Sequence, residues 1–136
     1  MFETVLMPVD MAHPEKAGDM IKAAQRLGDG TTKFIMANII HSVPAVAEMA
    51  VPQEYFDVAE KEARETLANL AQEAGIKAVV EVRIGHPAND ILVIAEDHHV
   101  NLIIVGSHRP GLQDYLIGST ASRVVRHAQC PVLVMR

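Results

Sequence analysis

The chain has 136 residues, 49% apolar and 21% charged, and carries a net charge of −5 from 12 Lys plus Arg against 17 Asp plus Glu. That length suits a single domain over 1–136 whose core needs no metal or disulfide to supplement it, and the acidic balance gives no reason to expect nucleic acid as a partner. One cysteine, Cys130, excludes an internal disulfide; no apolar run approaches the ~18 residues of a membrane span and no signal-peptide order opens the chain, so the expected setting is the cytoplasm, away from membranes.

The first element is "TVLMPV", an apolar strand over Thr4–Val9 with Asp10 at its C-terminal edge. Ala17, Ile21, Ala24 and Leu27 then recur at helical spacing, with Met20 beside them. Pro14 suits the first turn of that helix, and Gly28 and Gly30 end it. "KFIMANII" is continuously apolar rather than alternating, which predicts a second strand buried on both faces. The stretch after His41, punctuated by Pro44 and Pro52, is longer than an ordinary connection of about 4–6 residues. It reads either as a crossover packed down by Val and Met or as a flap over a cleft or subunit contact.

A second helix is predicted from Gln53 to Ala74, with Phe56, Ala59, Ala63, Leu67, Leu70 and Ala74 on one face and Gly75 as its stop. "KAVVEVRIG" is a third strand, "HPANDILVIAEDHH" a third helix opening at Pro87, and "NLIIVG" a fourth strand. The last helix follows Gly118 and ends near His127; "CPVLVMR" is the fifth strand, which Pro131 places at a sheet edge. Strict alternation of apolar strands with helices predicts an α/β fold: a Rossmann-like, doubly wound sheet of five parallel strands with helices on both faces. Ligands of such sheets bind beyond the C-terminal strand ends, where the strand order reverses. That rule singles out Asp10, after the first strand, and Gly106, after the fourth.

The segment from Gly106 to Ser119 is Gly-rich and runs from a buried strand into a helix. Gly106 either lets backbone approach a ligand or only makes a turn, and Gly111 in "RPGL" fits an ordinary turn. Gly118-Ser119-Thr120 stands where the first N–H groups of a helix lack acceptors. A hydroxyl there either caps the helix or meets a phosphate. The Walker A pattern fails for want of Lys beside Gly118, and no G-x-G-x-x-G follows an early strand.

Taken together, "VLMPVD", "GHPANDI" and "NLIIVGSHRPGLQDYLIGSTASRVVRHAQCPVLVMR" resemble the universal stress protein family over essentially the full chain. The resemblance implies a Rossmann-like domain that commonly pairs through its last strand, in a family divided between ATP binders and proteins that bind none. ATP-binding members carry G-x2-G-x9-G-[ST] after the fourth strand. Gly106 matches the first Gly, and Gly118-Ser119 the final pair. Position 109 is Arg, and eight residues separate it from Gly118, so the loop resembles a shortened subgroup form in which Gly111 takes the turn. The guanidinium of Arg109 is then a candidate phosphate contact.

By the same resemblance Asp10 meets the ribose or adenine, Pro8 and Val9 border the base, Ile39 lies against the adenine edge, Val105 lines the slot, and Ser119 and Thr120 form the phosphate end. The resemblance thus implies a regulatory stress protein binding ATP, ADP or AMP, with Mg2+ or Mn2+ held through the phosphates. It implies a homodimer through Pro131–Arg136, or a tetramer. The alternatives are a dimeric scaffold without nucleotide and, behind it, a slow ATPase or phosphotransferase. No catalytic base stands out, so any hydrolysis or self-modification is expected to be slow.

Seven histidines invite a metal reading that their spacing does not support. His98 and His99 are adjacent at a helix end, pointing about 100° apart, and a helix C-terminus accounts for one of them. His13, His41, His86 and His108 fall in loops at strand C-termini and are expected to ring the cleft. Tyr115 is expected to cover a nucleotide or to pack between subunits. Cys130 reads as a core or interface residue.

Overall fold

The computed structural model describes residues 1–42, 51–107 and 118–136. Five parallel strands form one sheet: β1 (Thr4–Pro8), β2 (Lys33–His41), β3 (Ala78–Gly85), β4 (Leu102–Gly106) and β5 (Val132–Met135), in the order β3-β2-β1-β4-β5. Between them come α1 (Ala17–Leu27), α2 (Gln53–Ala74), α3 (Pro87–Asp97) and α4 (Ser119–His127). The expected doubly wound α/β fold is therefore present, and its order reverses between β1 and β4.

Strand side chains alternate between two helical layers. Val5, Met7, Phe34, Met36 and Ile104 face α1 and α2, meeting Ile21, Ala24, Ala63 and Leu67. Leu6, Ile35, Ala37, Ile103 and Val105 face α3 and α4, meeting Ile91, Ile94, Ala121 and Val124. Leu6, Met7, Ile35, Met36, Ile103 and Ile104 are wholly buried, and each such side chain contributes about 1.5–3 kcal/mol over leaving it in water. The central strands are covered on both faces, which is why their sequence shows apolar runs rather than alternation.

Local chemistry sets the ends. Gly75 closes α2 in the left-handed region at φ 71, where a Cβ is disfavoured. β1 stops at Pro8, one residue earlier than the sequence predicts, although Val9 still donates its N–H to the Ala37 carbonyl at 2.8 Å. Pro14 opens a single 3-10 turn, Pro14–Lys16, rather than the α-helix itself. β5 begins at Val132 and occupies the edge that Pro131 implied. At the other end of β1, Asn101 clasps Thr4: its Oδ1 accepts the Thr4 N–H at 2.9 Å, and its own N–H donates to the Thr4 carbonyl at 3.0 Å.

A polar network ties α3 to β2 and β3. The Nε2 of His98 lies 2.8 Å from Glu81 Oε1, and Lys33 Nζ lies 3.3 Å from His98 Nδ1. An ammonium only donates, so Nδ1 accepts and the ring proton on Nε2 is given to Glu81. Arg83 adds contacts to Asp97 at 3.1 Å and to Glu81 at 3.7 Å. The helix end alone thus does not account for His98; two strands hold its ring. His99 follows in the left-handed region at φ 52.

Candidate functional site

The strand reversal creates a cleft. Past β1 the chain turns toward the α1 layer, and β4 belongs to the sheet half whose crossover helix, α4, lies on the opposite layer. Between them opens a cavity of about 410 Å³, within the size range of small-molecule sites.

Pro8, Val9 and Asp10 form its wall on the β1 side, Ile39 the β2 side, Val105 and Gly106 the β4 side, and Gly118, Ser119 and Thr120 the entrance to α4. All nine were singled out from the sequence, and the fold brings them around one space. Arg109, Gly111, Tyr115 and His108 lie outside the described residues, as does the 43–50 crossover.

Asp10 does two things at once. Its Oδ1 accepts the Ala12 N–H at 2.9 Å, and its carbonyl accepts the His13 N–H at 3.0 Å, so it shapes the turn. Among the described residues no second donor bonds the carboxylate, and Asp10 lines the cleft. A Cβ built on Gly106 meets no described atom within 4 Å. Gly106 lines the cleft, and among the described residues none packs against that side of its backbone.

The start of α4 resolves the choice between cap and open donors. Gly118 is the N-cap, at φ −60 and ψ 156, and among the described residues no side chain caps the helix. Ser119 and Thr120 are its first two residues, so neither hydroxyl sits where a cap must sit. Ser122 donates its N–H back to Gly118 at 2.9 Å, completing the first turn. The N–H groups ahead of Ser122 point along the helix axis toward the cavity, where the helix dipole favours negative charge.

Other residues complete the lining. Ala17 and Met20 come from the first turns of α1, and Pro87 and Ile91 from α3. Three helices therefore direct N-terminal turns at one volume. His13 and His41 line it as expected; His86 does not, its ring instead meeting His41 edge-on at 6.3 Å. The Glu15 carboxyl, 3.4 Å from His13, is held below the usual carboxylate range chiefly by a backbone hydrogen bond, with His13 adding to it. Among the described residues no group of three or more His, Cys, Asp or Glu converges as a metal site.

Two polar lining residues were missed from sequence, Lys16 and Asn38. Lys16 ends the 3-10 turn, just before α1, and carries positive charge into the cleft wall. Asn38 is the one uncharged polar side chain inside an apolar strand, a signal that was available and unused. No helix among the described residues is long and apolar enough to cross a membrane.

Comparison with known proteins bears on the family and the fold. A family model described as "Universal stress protein family" matches residues 1–136. The chain is 30% identical to Universal stress protein G of Salmonella typhimurium, with 100% of each chain covered. It is 30% identical to the solved structure of the hypothetical protein MJ0577, at a TM-score of 0.79, covering 99% of this chain and 96% of that one. The universal stress protein of Archaeoglobus fulgidus, solved in complex with dAMP, is 17% identical at a TM-score of 0.68, with 98% of each covered.

Proposed function

We propose, for a chain that belongs to the universal stress protein family, that the cleft between β1 and β4 binds an adenine nucleotide and that the protein acts as a nucleotide-responsive regulator in stress. One observation carries the reading: an uncapped helix N-terminus opens into the same cavity as the open carboxylate oxygen of Asp10. A nucleotide matches that division, being anionic at one end and rich in N–H and O–H donors at the other. Backbone amides at 118–120, with the Ser119 and Thr120 hydroxyls, would take the phosphates. Asp10 would accept from the nucleoside, while Pro8, Val9, Ile39 and Val105 enclose its apolar faces. The dAMP complex of a protein with this fold supports the choice of ligand class.

Lys16 supplies a cation that offsets phosphate charge in an otherwise acidic chain. Arg109 and Gly111 are assigned to the shortened loop between the two glycine ends, on resemblance. ATP, ADP and AMP all fit the reading, with Mg2+ or Mn2+ carried on phosphate oxygens. Asp10 is the sole carboxylate among the described lining residues and is already engaged in its turn. Any hydrolysis is accordingly slow, and a dedicated enzyme is not proposed.

Assembly belongs to the same reading. β5 is an edge strand whose Val132, Leu133, Val134 and Met135 are only half-buried, and edge pairing would cover them and their unpaired backbone. We assign Pro131–Arg136 to a homodimer contact. The scaffold alternative keeps this contact and drops the nucleotide.

The deciding experiment denatures freshly purified protein and identifies released small molecules by mass spectrometry, followed by titration of the emptied protein with ATP and Mg2+. Adenine nucleotide near one per chain, or saturable binding on titration, is expected. Neither release nor binding would sink the nucleotide reading in favour of the scaffold.

A further inference from the structure

We propose that Asn38 reads the nucleoside, its side-chain oxygen accepting a hydrogen bond from an N–H or O–H donor of the bound ligand. This rests on the nucleotide reading of the cleft and assigns one of its contacts to a residue outside the family-derived set.

Asn38 is only 8% exposed. Its amide orientation is fixed by its partner: Val9 offers a carbonyl, so the atom 2.9 Å from it must be the donor Nδ2. The other terminal atom is therefore Oδ1, an acceptor. No described residue donates to it. Yet no fully buried side-chain nitrogen or oxygen lacks a partner among the described residues, so this oxygen is not sealed in the core. The surfaces Asn38 reaches are the cleft and an adjoining recess of about 390 Å³ beside α2, between which it forms the shared wall with Asp10 and Ile39.

A valine or alanine at position 38 would continue the apolar run of β2. The Nδ2 bond explains why an amide is tolerated, since it braces the Val9 carbonyl next to Asp10. It does not explain the acceptor. A ligand donor does. Two donor sources share this chemistry, the exocyclic amine of adenine and the ribose hydroxyls.

The test is a set of binding cycles on the full chain, using ATP, inosine triphosphate, 2′-deoxyATP and 3′-deoxyATP as probes. Inosine replaces the exocyclic amine by an oxo group, and each deoxy analogue removes one hydroxyl. On the parent protein one analogue is expected to bind about 3- to 10-fold more weakly than ATP, the size of one neutral hydrogen bond. In Asn38→Ala that penalty should vanish, whatever the change in overall affinity. The analogue affected identifies the donor, amine or hydroxyl.

Asn38→Asp separates reading from bracing. It keeps an acceptor but loses the donor to Val9, so the analogue penalty should persist while all four ligands weaken together. A penalty that survives unchanged in Asn38→Ala, or vanishes in Asp10→Ala instead, would overturn the proposal and leave the nucleotide reading standing. A parent protein that binds none of the four would overturn both. Thermal melts of each variant establish that the comparison is made between folded proteins.

Discussion

Beneath the C-terminal end of α3, Lys33, Glu81, Arg83, Asp97 and His98 are joined to one another by hydrogen bonds and ion pairs. At the C-terminal ends of β1 and β2 and the start of α4, Asp10, Asn38 and the first amides of the helix are each left partly open. Both regions are polar and both border the same sheet. They differ in who supplies the last partner. In the first, the chain does, from residues as far apart as Lys33 and His98. In the second, the described residues stop short, and the open groups face one cavity. Among the described residues, the fold closes one polar network locally and leaves the groups of the proposed binding site open on the other side.

Substitutions sharpen the contrast because the two regions should answer to different measurements. The largest effect is expected for Gly118→Val. A branched side chain at the α4 N-cap blocks approach to the open amides, and loss of one or two hydrogen bonds to a charged ligand corresponds to roughly 100-fold in affinity. Calorimetric titration with ATP measures it, and the melting transition should hardly move. Asp10→Ala comes next, at about 10-fold weaker binding, with Asp10→Asn intermediate because Oδ1 still accepts the Ala12 N–H. Retention of full ATP affinity by both Gly118→Val and Asp10→Ala would place the site elsewhere.

His98→Leu is the converse experiment. It strands Glu81 and Lys33 without their shared imidazole, and the expected loss is about 1–2 kcal/mol of stability in urea unfolding. ATP affinity should stay within about twofold of the parent. A parallel drop in affinity would break the comparison by showing the two regions to be coupled. The smallest effect concerns Cys130, which packs against the α3 and α4 layer. Burial pushes its thiol up from the ordinary range, so less thiolate is present at neutral pH than in a free cysteine. Alkylation by iodoacetamide at pH 7 should be slower than for a small thiol, and should accelerate only as pH rises through the raised pKa.

The fold was legible because punctuation and period agreed. α2 spans Gln53–Ala74 as predicted, since Pro52 precedes it in an extended conformation and Gly75 ends it in the left-handed one. Its buried face was read less well: Ala71 is buried, whereas Ala59, Leu70 and Ala74 are only partly so. A helix of this length turns gradually relative to a twisted sheet, which a fixed period does not capture. In the cleft, Asp10, Gly106 and the start of α4 were found because sequence position places them at strand ends or a helix N-terminus near the strand reversal, whereas Pro8, Val9, Ile39 and Val105 came only from the family resemblance. Asn38 stands out in the sequence only as a polar residue within an apolar strand, and its partner Val9, 29 residues away, meets it only through the β1–β2 register. His98 shows the same gap, as its partners come from two other strands rather than from its own helix.

The Thr4–Asn101 clasp joins residues 97 apart in the chain, and this separation governs the order in which the molecule can be made. β1 acquires β2 as a neighbour early, but its other flank stays vacant until β4 has been synthesised. Through that interval Val5, Leu6 and Met7, wholly buried in the finished sheet, border an unfilled edge. Long-range parallel pairing is slow to form, and a waiting edge is a place where chains adhere to one another. Chains stopped before Leu102 should therefore aggregate, whereas chains lacking only β5 should retain a closed centre and lose chiefly their rim.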